Sequence, residues 1–211
     1  MQILFLDRID STQLHLKELL QSKKVLSPYA VVADIQTAGI GSRDNSWTGL
    51  SENLFLSFSF PLTTLPKDLK LESSSIYFSY ILKETLQSLN SDVWLKWPND
   101  FYMQDKKIGG MITNIVGNSI VCGVGLNLKN APDGFGVLDI DIDKKELLNN
   151  YFANLEKKVL WKQVFSNYKL EFHLNQNFIT HIKNKKVHLG EATLEADGSL
   201  NINGQRIYSL R

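Results

Sequence analysis

The spacing of apolar and polar residues changes several times along the chain, and each change marks an element. Residues 2–6, Gln-Ile-Leu-Phe-Leu, form a short apolar run that predicts a buried strand. Asp10-Ser11-Thr12 then offers capping oxygens for a helix over about 12–21, with Leu14, Leu19 and Leu20 partly at helical spacing. Residues 29–36 are apolar and β-branched and read as a central strand. From 37 to 53 the apolar period disappears and Gly, Ser, Asn and Asp accumulate. So long a connector in a compact domain is a candidate functional loop. Residues 53–62 resume as a strand that sets Leu54, Leu56, Phe58 and Phe60 on one face, with Phe55 breaking the alternation. The longest helix is predicted over 71–89.

The second half is punctuated differently. Residues 92–97 read as a strand stopped by Pro98, and 101–104 with 108–116 as a hairpin around Asp105-Lys106-Lys107. Another strand follows over 120–128, then helices over 144–157 and 161–174, the first carrying Leu147, Leu148, Phe152 and Leu155. From Lys186 onward, apolar and polar residues alternate between turns at Asp197-Gly198 and Asn203-Gly204, which predicts a small set of hairpins. Strand follows strand over 93–128, so the class is α+β rather than a doubly wound α/β fold. The expected organisation is a main domain over 1–184 and a short β-domain over 185–211.

Composition narrows the function classes. With 211 residues, 43% hydrophobic and 21% charged, the chain has the makeup of one soluble globular domain with a small appendage. A net charge of +1 gives no global electrostatic case for nucleic acid or a membrane surface. The single cysteine, Cys122, sits in an apolar run and reads as a core thiol; it excludes an internal disulfide framework and fits a reducing cytoplasm. Neither a signal peptide nor the roughly 18 apolar residues of a membrane span is present. His15, His173, His181 and His188 lie far apart, which argues against a structural zinc site.

One stretch stands out chemically: Lys96-Trp97-Pro98-Asn99-Asp100. Lys96 ends an apolar strand, where a charge is costly unless it is solvated or paired with an anion. Asn99 supplies both donor and acceptor, as a nucleobase edge requires, and Asp100 has the chemistry to hold Mg²⁺ or accept a proton. Lys107 leads into Gly109-Gly110, where a ligand can approach the backbone closely. Upstream, Gly39-Ile40-Gly41 follows a strand and could present amides to anionic oxygens, but no helix or Gly-Lys-Ser/Thr follows it, and a plain flexible loop has the same composition. Gly123-Val124-Gly125 likewise either serves a ligand or lets a neighbouring backbone approach. Trp47 either stacks on a flat ligand or anchors its loop on the core, and Arg43 is the loop's only cation. Two lysines and two glycine-marked segments on one sheet point to a site for a nucleotide or acyl phosphate.

In order, Asp10-Ser11-Thr12, residues 36–41 leading to Trp47, residues 53–58, Lys96–Asp100, residues 107–113 and residues 123–127 resemble the biotin protein ligases. The resemblance covers about residues 1–130 and implies a synthetase-like mixed sheet with helices on one side, followed by a small SH3-like β-domain. It implies activation of biotin by ATP to biotinyl-5′-AMP, with Mg²⁺, and transfer to a lysine of the biotin carboxyl carrier protein of acetyl-CoA carboxylase or a related carboxylase. Carried over position by position, Ser11 and Thr12 would bind the ureido head, with Gln36 nearby and Gln13 where the family often has asparagine. Gly39 and Gly41 would wrap biotin, and Gly110 would give its backbone to the ligand. Trp47, Asn99 and Asn127 would line the adenylate pocket. Lys107 would bridge biotin's carboxyl and the α-phosphate, Lys96 would offset phosphate charge, and Asp100 would hold Mg²⁺ or orient the acceptor lysine.

The loop departs from the family's arginine-rich pattern. Ile40, Ser42 and Asn45 stand for three arginines and Asp44 for a glycine, so either Arg43 takes over retention of the intermediate or biotinyl-AMP leaks. The resemblance begins almost at Met1, so the expectation is a ligase without a DNA-binding module, cytoplasmic, and a monomer or weak homodimer. Two alternatives stay open: a lipoate-type acyl ligase or transferase, and a non-catalytic biotin or nucleotide sensor.

Overall fold

The computed structural model describes residues 1–41, 45–182 and 185–208. Its centre is a seven-stranded mixed sheet. In chain order the elements are β1 (Gln2–Ile9), α1 (Thr12–Gln21), β2 (Tyr29–Gln36), β3 (Gly39–Ile40), β4 (Ser46–Trp47) and β5 (Leu54–Pro61). Then come α2 (Ser74–Gln87), β6 (Trp94–Lys96), β7 (Asp100–Met103), β8 (Lys106–Val116), β9 (Ser119–Leu126), α3 (Lys144–Glu156) and α4 (Trp161–Glu171). The chain closes with β10 (Ile179–Ile182), β11 (Lys185–His188), β12 (Thr193–Leu194), β13 (Leu200–Ile202) and β14 (Gln205–Ile207). The sheet order is β1-β2-β5-β9-β8-β7-β6; β1 and β2 run parallel and every other pair is antiparallel.

The two faces of the sheet are built differently. Period-2 alternation sends Leu54, Leu56 and Phe58 of β5, with Ile120, Cys122, Val124 and Leu126 of β9, into the main core. Residues of α2, α3 and α4 complete that core on the same face. On the opposite face α1 covers a smaller cluster of Leu16, Tyr29, Val31 and Val121. The expected single helical side is therefore incomplete: α1 lies across the sheet from α2, α3 and α4. Small residues make room for it. Ser57 and Ser59 are fully buried on this face, and the Ser59 hydroxyl accepts the Tyr29 N–H at 3.2 Å.

Element ends follow capping chemistry. The Ser11 side chain accepts the Leu14 N–H to start α1, and Asp143 accepts from Lys145 and Glu146 to start α3. Asp68, from outside the helix, accepts the Trp161 and Lys162 N–H groups of α4 at 3.0 Å each. The helix expected over 71–89 begins as a 3₁₀ turn and becomes α-helical at Ser74, and the one expected over 161–174 tightens to 3₁₀ after Glu171. The loop over 37–53 is not structureless, because Gly39 pairs with Trp47 and Ile40 with Ser46.

Within the helical layer, Lys83 is fully buried, with its ammonium 2.6 Å from Glu171, 2.8 Å from Glu84 and 4.3 Å over the Tyr80 ring. The C-terminal segment belongs to the same core through Leu189, in a 3₁₀ turn, and through Leu194, Leu200 and Ile202 of its strands. Trp97, 1% exposed, ties them to the sheet: its indole N–H donates to the Gly198 carbonyl at 2.9 Å and its backbone N–H to Asn175 at 2.7 Å. Among the described residues no helix is long and apolar enough to cross a membrane.

Candidate active site

A cleft opens on the α1 face, where β5, β8 and β9 present almost no side chain. Opposite pairs Gly110–Gly125 and Ile112–Gly123 form its floor, and Ser57 continues it on β5. Trp47 roofs one end. A Cβ placed on Gly125 would come 2.5 Å from its indole, so the ring lies directly on bare backbone. The indole edge also meets Phe135 at 6.4 Å, and its N–H is buried with no hydrogen-bond partner among the described residues. Trp47 thus anchors the loop and lines the cleft at once.

One end of the cleft is a network of buried polar groups from the start of α1. Gln36 accepts the Thr12 backbone N–H at 2.9 Å and the Thr12 hydroxyl at 3.1 Å through the same oxygen. A backbone N–H can only donate, so this fixes the amide: Oε1 faces Thr12, and Nε2 faces Gly39 and the cleft. The Thr12 hydroxyl proton is then committed, so the Ser57 hydroxyl, 2.9 Å away, donates to Thr12. Gln13 is 4% exposed; its Nε2 donates to Asn114 and to the Val121 carbonyl, and its Oε1 has no partner among the described residues. The head of the cleft therefore offers a buried acceptor, Gln13 Oε1, beside an amide donor, Gln36 Nε2.

The other end is charged. Asp100 sits between two lysines, its Oδ1 2.6 Å from Lys107 and its Oδ2 3.9 Å from Lys96. This supplies the anionic partner that a lysine at the end of an apolar strand requires. The Lys96 ammonium also lies 5.4 Å from the Tyr102 ring centre. Burial and then the Asp100 charge push the Tyr102 phenol up to about 12, so it stays protonated near neutrality. Asn99 is 3% exposed and lines the cleft; its Nδ2 donates to the Met111 carbonyl, and its Oδ1 has no partner among the described residues.

Of the residues singled out in the sequence, Ser11, Thr12, Gln13, Gln36, Gly41, Trp47, Asn99, Asp100, Lys107 and Gly110 line this one cleft. Lys96, Gly39 and Asn127 stand behind its wall. Lys96 reaches it through Asp100, Gly39 through its ladder partner Trp47, and Asn127 is 1% exposed and donates to the Gly136 carbonyl. Ser42, Arg43 and Asp44 lie outside the described residues. Ser57, Ile112 and Asn114 were not singled out. The signal for Ser57 and Asn114 was a polar residue at a non-core position of an otherwise apolar strand; Ile112 gave none. Cys122 is fully buried, and burial pushes its thiol well up, which fits a core role.

Residues 5–129 match the model of the biotin/lipoate A/B protein ligase family. The chain superposes with a TM-score of 0.94 on biotin acetyl coenzyme A carboxylase synthetase from Helicobacter pylori, solved with bound biotinylated ATP; the two are 35% identical, over 98% of this chain and 99% of that one. It is 34% identical over 127 residues to the bifunctional ligase/repressor BirA of Escherichia coli strain K12, a match spanning 57% of this chain and 38% of that protein. The biotin protein ligase of Aquifex aeolicus, solved with biotin and ATP, shares the fold at a TM-score of 0.80 and 22% identity, covering 100% of this chain and 96% of that one. With its family model matched over more than half its length and its fold shared end to end with the Helicobacter protein, this chain belongs to the biotin/lipoate A/B protein ligase family.

Proposed function

We propose that this protein is a biotin–protein ligase, which joins biotin to AMP and then passes the biotinyl group to a lysine of a biotin carboxyl carrier protein. The observation that carries the reading is the polarity of the cleft from end to end. A cyclic urea presents a carbonyl acceptor and N–H donors, and the cleft head offers Gln36 Nε2 and Gln13 Oε1 to meet them. A carboxylate presents negative charge, and the far end offers Lys107. Biotin has this order of groups. A lipoyl or octanoyl acid carries no N–H at its head and would leave Gln13 Oε1 desolvated and unpaired. A pure sensor has no need of a second lysine and a carboxylate beside the first.

The chemistry follows in two steps. A biotin carboxylate oxygen attacks the α-phosphorus of ATP, a P–O bond forms, and the bond to pyrophosphate breaks. Lys107 offsets charge on the carboxylate and α-phosphate as the pentavalent state forms, and Lys96 adds to that field. Asp100 holds both ammonium groups in place until the substrate arrives. The acyl carbon, no longer flanked by a full negative charge, then accepts the carrier lysine's amine; the C–N bond forms, AMP leaves with the electron pair, and the amine sheds its proton. Only roughly 0.1% of an ordinary lysine is neutral near pH 7.4, so a carboxylate near the entering amine speeds this step. Asp100 is the carboxylate we assign to it. Asn99 Oδ1 and the Trp47 indole serve the adenylate end, with Asn127 supporting the wall.

Magnesium enters as part of Mg-ATP. Among the described residues no three His, Cys, Asp or Glu groups converge on a metal position, and Asp100 is already engaged by two lysines, so we assign the ion to the nucleotide rather than to a cluster of the described side chains. The carrier belongs, in this proposal, to acetyl-CoA carboxylase or a related carboxylase, and the enzyme works in the cytoplasm. We also place the start of the small β-unit at Ile179 rather than 185, since β10 pairs with β11 across that boundary.

The test is biotin-dependent pyrophosphate release from Mg-ATP, with and without a carrier domain. Biotin alone should give a burst and carrier should make it turn over, while Lys107→Ala should slow release by about 100-fold or more. Absence of biotin-dependent release in both conditions would overturn the ligase reading.

A further inference from the structure

The head of the cleft holds one amide whose orientation is not self-evident. Gln13 could in principle face the ligand with either its oxygen or its NH₂. The structure shows what decides. The Val121 carbonyl, an obligate acceptor, lies 3.4 Å from Gln13 Nε2, a long contact. Asn114 Oδ1 lies 3.1 Å from the same nitrogen and makes the better bond. Asn114 and Val121 are opposite partners on β8 and β9, so both acceptors sit side by side on the face that carries the cleft. Gly123 completes the device. A Cβ there would stand 2.6 Å from Gln13 Oε1, so only a glycine leaves the oxygen room. The result is a buried carbonyl oxygen, without a partner among the described residues, at the wall of an open site.

We propose that Asn114 is a positioning residue for recognition of the acid's head group: it holds the Gln13 carboxamide with its oxygen toward the cleft and thereby selects acids whose head carries an N–H. The inference rests on the biotin reading of the site. Without Asn114 only the long Val121 contact is left to hold the carboxamide; when it turns, its NH₂ opposes the N–H of a cyclic urea. An acid with no N–H at its head is indifferent to that turn or gains from it. The reacting carboxylate sits at the Lys107 end of the cleft, so the effect belongs in binding rather than in chemistry.

The full chain carrying Asn114→Leu is compared with Asn114→Asp, which keeps an acceptor for Gln13 Nε2, by biotin-dependent pyrophosphate release turned over with a carrier domain. Asn114→Leu should raise the biotin KM about tenfold with kcat within about twofold, and Asn114→Asp should bring KM back to within about threefold of wild type. Lipoate should compete against biotin no less well in Asn114→Leu than in wild type. Asn114→Ser, too short to reach Gln13, replaces the leucine variant should that fail to fold and should show the same KM rise. An unchanged biotin KM, a loss confined to kcat, an aspartate variant as impaired as the leucine one, or a parallel loss of lipoate competition each overturns the inference while leaving the ligase reading intact. A wild-type protein with no biotin-dependent release overturns both.

Discussion

Gly125→Ala isolates the role of Trp47 because it adds one methyl group where the indole touches the sheet. The new Cβ would stand 2.5 Å from Cε2, 2.6 Å from Nε1 and 3.0 Å from Cδ2 of Trp47. Carbon contacts are comfortable from about 3.5 Å, so the ring must withdraw by about 1 Å. The β3–β4 ladder that carries Trp47 pairs only two residues on each side and can yield. The stability cost should therefore fall near the low end of overpacking, about 1 kcal/mol. Function should suffer more, since a misplacement of about 1 Å in a site wall costs roughly 100-fold in rate. Gly109→Ala, one strand over, supplies the contrast. Its Cβ would meet the Gly125 carbonyl at 2.6 Å, within the central sheet, and backbone there cannot step aside. That variant should lose about 2–3 kcal/mol. The assays are urea denaturation, pyrophosphate release, and tryptophan emission, in which Trp94, Trp97 and Trp161 are buried reporters and Trp47 is the one that moves. Gly125→Ala with wild-type kinetics and unchanged emission would refute the placement of the indole as a wall of the site.

Other substitutions test the frame. Lys83→Met leaves the Glu171 carboxylate without its cation; because Glu171 and Glu84 are 30% and 45% exposed, water softens the loss, and about 2 kcal/mol in urea denaturation is expected, with an unchanged midpoint counting against a role for the pair. Burial alone would raise the Asp197 carboxyl, but hydrogen bonds from the Ser199 hydroxyl and N–H, then Lys70 and Arg206, hold it below the ordinary value. Its contribution is present above the unfolded-state pKa near 3.9 and fades as pH falls through the lower folded-state value. Asp197→Asn should thus cost on the order of 1 kcal/mol at pH 7 and nothing near pH 2, as read by melting at both pH values. If the arginine-poor loop holds its intermediate weakly, pyrophosphate release without carrier will continue beyond one equivalent; a strict single burst would exclude leak.

The Lys96–Asp100 stretch was legible because its residue types conflict with a plain strand end, and a conflict of that kind points to a ligand or a partner. Lys107 and Gly110 stood out as a cation leading into paired glycines, Thr12 and Gln36 followed from the resemblance, and the structure sets all four around one cleft. Asn114 was not legible. It reads as one polar residue in a strand, and its meaning depends on Val121 and Gln13, the latter 101 positions away. The face chosen by α1 was hidden too, since an amphipathic helix states that it packs but not on which side of a sheet. Ser57 and Ser59 held the clue, as small polar residues alternating with leucine and phenylalanine where one side of a sheet must admit a helix.

Trp97 has a consequence for how the protein is made. Its indole waits for the Gly198 carbonyl, 101 positions downstream, and its backbone N–H for Asn175. A ribosome delivers those partners long after it has released the segment with Lys96, Asn99 and Asp100. The nascent sheet can pair early, but this segment gains its final anchor only after residue 198 has been made. Until then the segment lacks that fastening, and a chain stopped short of Gly198 would carry the site's residues without the contacts that set them.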